Sequence, residues 1–182
     1  MGKSGTEKVC QDYNGEGRWT VEAVQTRYLE YCRAYGVKSP VKPVPRVHVE
    51  GRKQWIYPVM EAVIVGIERG DQACIALGVD FIEEDAHFPF GKTLKSNTAR
   101  ALRRASLTAA QVVRVRKRVT NLLIVGQIPH EFREYAKLLR HVGLAEYWPL
   151  MQRDANPDNP FVKKFLDYFR VFAEREKSAN SR

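Results

Sequence analysis

A chain of 182 residues, 44% hydrophobic and 28% charged, has the composition of an ordinary globular protein and the length of one domain, which excludes a disordered chain or a fibrous repeat. No run approaches the roughly 18 consecutive apolar residues of a membrane span, and the amino terminus lacks the apolar segment of a secretory signal, so a cytoplasmic protein with no membrane partner is expected. The formal net charge of +9 points toward an anionic partner.

In chain order, residues 1–18 are polar, contain glycine and show no apolar period, which reads as a flexible arm. Order is expected from Trp19, with Thr20 capping a helix whose Val21, Val24, Tyr28, Cys32 and Tyr35 share one side and which Gly36 ends. Pro40, Pro43 and Pro45 force an extended connection over 37–46, because each lacks an amide hydrogen and disfavours helix in the residue before it. Val47 and Val49 then alternate with Arg46, His48 and Glu50, and Trp55 and Tyr57 alternate beyond a turn, which describes a small hairpin.

From Pro58 the period becomes helical. Met60, Val63, Ile64 and Ile67 make one buried side, Gly70 stops that helix, and Asp71 caps the next, which is apolar around most of its circumference and therefore central. A Phe88–Gly91 turn precedes a helix from about Ser96 to Ala105, and Thr108 with Gln111 makes a capping box ahead of a helix reaching about Val125. Gly126 ends it, Pro129 starts another helix that Gly143 closes, and a less regular segment with Trp148 and Pro149 follows. Asn159 and Pro160 then start a helix with an aromatic stripe, Phe161, Phe165, Leu166, Phe169 and Phe172, before a charged tail, disordered over 177–182. The expected fold is mainly α: one compact domain over 19–176 of six or seven helices, with at most one small β-hairpin.

The charge is not spread evenly. Between Ala86 and His130 there is no Asp or Glu, while Lys92, Lys95, Arg100, Arg103, Arg104, Arg114, Arg116, Lys117 and Arg118 equal the net charge of the whole chain. Arg114, Lys117 and Arg118 fall at i, i+3, i+4 on one helical face, and Arg100, Arg103 and Arg104 repeat that spacing, so two basic ridges are expected. Such ridges suit phosphate contact with little base selectivity, and nucleic acid, DNA or RNA, is the expected partner. A bland reading of the same residues is a solvated face, or pairing with Glu83, Glu84 and Asp85 upstream. An alternative function is a protein-interaction module without catalysis, in which the block docks an acidic protein and the aromatic carboxy-terminal helix offers a homodimer face.

Other motifs carry less. The helices on either side of Gly126 have the spacing of a helix-turn-helix, but the second opens with Glu131 and Glu134, which phosphates would repel. In the hairpin, Arg46, His48, Arg52, Lys53, Trp55 and Tyr57 interleave cations with rings that can stack on unpaired bases. The run Ala86–Thr93 fits only the loosest phosphate-binding loop, and its phenylalanines and proline exclude close approach of amides to phosphate. Glu84-x-x-His87 has carboxylate–imidazole spacing but no second pair, and His130-Glu131-x-x-Glu134 lacks a second histidine, so neither metal nor cofactor is expected. Cys10, Cys32 and Cys74 form no C-x-x-C pair; Cys32 and Cys74 are expected in the core, and Cys10 exposed. No G-x-S-x-G nucleophile motif occurs, which leaves Asp80, Glu83 and Glu84 as the sole acids to weigh for catalysis, and a binding role is favoured over an enzymatic one.

Overall fold

Four of the helices open on capping side chains. The computed structural model describes residues 9–84 and 89–180. In it the Thr20 hydroxyl accepts from the Ala23 amide at 3.2 Å to open α1 (Val21–Tyr35), which ends at Gly36 with φ 66°. α2 (Met60–Glu68) turns through Gly70 into α3 (Gln72–Glu84), and the Asp71 carboxylate accepts from the Ala73 and Cys74 amides at 2.8 and 3.0 Å. α4 (Gly91–Leu102) leads to α5 (Ala109–Ile124), opened by the reciprocal capping box of Thr108 and Gln111. α6 (Phe132–Val142), α7 (Tyr147–Asp154) and α8 (Pro160–Asn180) complete the chain, and Asn159 caps the last through the Phe161 and Val162 amides.

The described residues thus form eight α-helices, one more than the upper expectation. The addition is α7, hidden in the sequence by Pro149. That proline falls in the first helical turn, where its missing N–H leaves no intrahelical bond unmade. Other boundaries move: α4 runs from Gly91 to Leu102 instead of about Ser96 to Ala105, behind Phe90 in a left-handed conformation at φ 61°, α6 starts at Phe132 instead of Pro129, and α8 runs to Asn180 through residues expected to be disordered.

Part of the arm expected over 1–18 is ordered, and residues 1–8 lie outside the described residues. Val9–Asp12 is a strand, β1, lying parallel to β3 (Lys53–Ile56), which in turn pairs antiparallel with β2 (Val47–Glu50) in the order β1-β3-β2. The free edge of the expected hairpin supplies the backbone partners that recruit β1, a signal that four mixed residues cannot show alone. Asn14 then fastens the chain, accepting from the Val59 amide at 2.6 Å and donating to the Tyr57 carbonyl at 3.3 Å.

α3 is the hub of the core. Every residue from Ala73 to Ile82 is buried, and α1, α2, α4 and α5 all pack on it. Close approach of α2 depends on Gly66, since a Cβ there would lie 2.9 Å from the Cys74 Cβ and inside the radius of its sulfur. Cys32 and Cys74 are buried and Cys10 is exposed, with burial pushing the Cys74 thiol well above its ordinary pKa. At the other end Val162, Leu166 and Phe169 of α8 close the core. No described helix is long and apolar enough to cross a membrane. Gly66→Ala should therefore lower stability by about 1–3 kcal/mol, measured as a lower urea midpoint with an unchanged m value.

Candidate nucleic-acid interface

Folding brings the basic block against acids that lie outside it or at its far border. Asp80 projects from the all-buried stretch of α3 and is itself 3% exposed, so its charge requires partners close by. It receives three: Tyr31 Oη at 2.7 Å, Arg27 at 3.3 Å and Arg114 at 2.8 Å. Arg114 also donates to Glu83. One turn on, Glu84 accepts from Arg18 at 2.7 Å and from the Trp19 indole at 3.1 Å, and the Arg27 guanidinium lies 4.3 Å from the centre of the Trp19 ring. Asp80 thereby joins α1, α3 and α5.

These contacts shift the groups in the directions their surroundings require. Burial, reinforced by the hydrogen bond to Asp80, pushes the Tyr31 phenol up to about 12. Burial works against the Arg114 charge, but its hydrogen bonds to Glu83 and Asp80 outweigh that and hold its proton more tightly than usual. Arg27 moves down, because burial and the neighbouring Arg18 charge exceed the attraction of Asp80 and Glu84.

A second set joins α4 to α6. Lys95 is buried, with its ammonium 3.6 Å from a Glu131 carboxylate that is itself 3% exposed. Glu134 collects Lys137 at 2.8 Å, Arg100 at 3.4 Å and Arg103 at 3.6 Å. Burial raises its pKa, but the Lys137 hydrogen bond and the Arg100 and Arg103 charges prevail and hold it below the usual carboxylate range. Arg116 donates to the carbonyls of Gly143, at 2.8 Å, and Val142, closing the carboxy-terminal end of α6.

The two ridges expected from spacing are therefore not free surfaces. Lys95 lies in the interior, Arg114 and Arg116 are held by α3 and α6, and Arg100 and Arg103 lean on Glu134. Lys92, Arg104 and Lys117 remain exposed with no ion pair to a described residue, Arg100 is exposed beside them in sequence, and Arg118 is half-buried. The acids opening α6, which argue against a recognition helix, are both buried on the cations of α4. Asp85 and the histidine of the Glu84-x-x-His87 pair lie outside the described residues, as does the start of the Ala86–Thr93 run. Among the described residues no group of three His, Cys, Asp or Glu side chains is placed to hold a metal.

Sequence reading missed the partners more than the cations. Arg27 and Tyr31 carry no motif; their one signal is position, because Arg27 lies beside the buried face of α1 marked by Tyr28. Between α6 and α8 a groove of about 470 Å³ is lined by Arg133, Lys137, Lys164, Phe165 and Tyr168, a mixture of cations and rings contributed by two helices. No protein-family model matches the chain, and no curated protein or solved structure matches it.

Asp80→Asn should cost about 1.5–3 kcal/mol, because it removes the buried charge that Arg27 and Arg114 share and leaves them only Glu84 and Glu83; denaturant unfolding measures this. Glu134 gives a pH dependence of defined sign. Its folded pKa lies below the unfolded value, so its contribution is present above about pH 4.5 and disappears as pH falls through the folded pKa. Glu134→Gln should flatten the loss of stability on acidification below that value, measured by urea unfolding at pH 7, 5, 4 and 3.

Proposed function

We propose that the chain is a helical, cytoplasmic, nucleic-acid-associated protein that touches the phosphate backbone with little base selectivity. Its contacts are Lys92, Arg104 and Lys117 on open surface, with Arg100, Arg103 and Arg118 at their margins. The charge balance carries this reading. Glu134 alone is shared by Arg100, Arg103 and Lys137, and Lys92, Arg104 and Lys117 have no ion pair to a described residue, so pairing leaves the positive excess in place and +9 remains over 182 residues. A field of that sign attracts a polyanion and gains from release of its counterions.

Exposed apolar side chains favour a second reading, an acidic protein partner. Val113, 47% exposed, lies one helical turn from Lys117 on α5, and Phe161 is 65% exposed on α8. Phosphates have no use for such groups, whereas a protein interface or a second copy of the chain does.

Titration of labelled duplex DNA and single-stranded RNA between about 50 and 200 mM salt tests the first reading. Binding should weaken linearly in log–log form, with a slope corresponding to roughly four or more phosphates. Combining Lys92→Ala, Arg104→Ala and Lys117→Ala should reduce that slope by about 2–3 while leaving the unfolding midpoint in place. No binding at low salt, together with binding of polyglutamate, would reverse the choice between the two partners.

A further inference from the structure

The three-stranded sheet stands apart from the core. Its strands pair with one another and pack on no helix among the described residues, both outer strands are exposed along their length, and β3 is only half-buried. Laterally paired residues of a sheet point to the same side, and successive residues alternate sides. The register therefore sets Gln11, Trp55 and His48 abreast on one side. One step past the strands, the Tyr57 amide donates to the Arg46 carbonyl at 2.9 Å, which brings Tyr57 and Arg46 to that same side. In the other direction lie Lys53 and Glu50, a facing pair.

The side chains on this face are arranged as rings and cations. His48 stacks on Trp55 with centroids 5.3 Å apart and planes 27° apart, and the Arg46 guanidinium lies 3.8 Å from the centre of the Tyr57 ring. Trp19 and Trp148, at 4% and 7% exposure, belong to the hydrophobic core, but neither Trp55 nor Tyr57 packs against it. Core packing, the ordinary use of a tryptophan, thus does not account for Trp55. The surrounding charge is positive: residues 37–57 hold five cations, Lys38, Lys42, Arg46, Arg52 and Lys53, against the single acid Glu50. A further acid, Glu61, approaches Arg46 to 3.7 Å and shares it with the Tyr57 ring.

We infer that this face of the sheet is a stacking platform for single-stranded nucleic acid, an inference that rests on the nucleic-acid reading and names its substrate class. Unpaired bases present π faces to Trp55, His48 and Tyr57, and their phosphates fall to Arg46 and Lys53. A duplex keeps its base faces stacked inside and offers this surface only phosphates. Three strands spaced about 4.8 Å apart make a face roughly 10 Å wide, enough for about two or three nucleotides.

The test uses the full chain and its intrinsic fluorescence, since Trp55 is the one tryptophan outside the core. Oligo-dT, an abasic deoxyribose-phosphate strand of equal length and a hairpin duplex are titrated in turn. Oligo-dT should quench the emission and bind more tightly than the abasic strand. Trp55→Ala should weaken oligo-dT binding roughly 5- to 100-fold, leave duplex binding within about twofold and preserve the unfolding midpoint, with Trp55→Phe recovering most of the loss. Equal binding of oligo-dT and the abasic strand, unchanged in Trp55→Ala, would overturn the platform while leaving phosphate contact by the helices intact. Failure of all three ligands to bind would remove both. Emission that responds to protein concentration and not to oligo-dT would also overturn it, marking the face as a contact between copies.

Discussion

A carboxylate on a helix buried all round can exist only if the helices that cover it bring its counter-charges, and Asp80 on α3 sets that condition for the rest of the body. α1 answers with Arg27 and Tyr31, and α5 with Arg114. Because hydrophobic burial has no direction, the apolar faces of α1 and α5 allow several rotations against α3, and the charged hydrogen bonds select among them. Glu83 and Glu84 extend the constraint outward to Arg114, Arg18 and Trp19. The acids weighed for catalysis are thereby held by cations from three parts of the chain, an arrangement that fixes packing.

The same logic recurs at α6, where Glu131 and Glu134 meet Lys95, Arg100 and Arg103 of α4. An acid at the N-cap and another in the first turn, Glu131 and Glu134, are favoured by the helix dipole, and here the dipole, the cations and the burial act together. The acid-free run from Ala86 to His130 is thus segregated in sequence and reassembled with its counter-charges in space. Its inner members stabilise the fold, and only Lys92, Arg104 and Lys117 are left both exposed and without a described ion partner. A basic block can therefore contribute to both core and surface, and its length along the chain overstates the area offered to a ligand.

The sheet divides the molecule differently. Helices α1 to α8 share one core, whereas the strands keep their rings outside it. A stacking surface on the sheet and phosphate contacts on the helices would draw on separate physical terms, π-stacking and counterion release, and the first alone distinguishes unpaired bases from a duplex.

Periodicity and capping chemistry made most helices legible, because Thr20, Asp71, Thr108 and Asn159 satisfy amides within their own first turns, and local geometry needs no distant partner. The all-apolar circumference of α3 likewise announced its central place. Tertiary structure decided the remainder. β1 exists because β3 has a free edge, and Trp55 lies outside the core because no helix packs on the sheet among the described residues. Above all, the sequence counted the cations but could not pair them. Net charge is a sum over residues, whereas an ion pair depends on which distant helices pack together, and that was settled only when Asp80, Glu131 and Glu134 were buried.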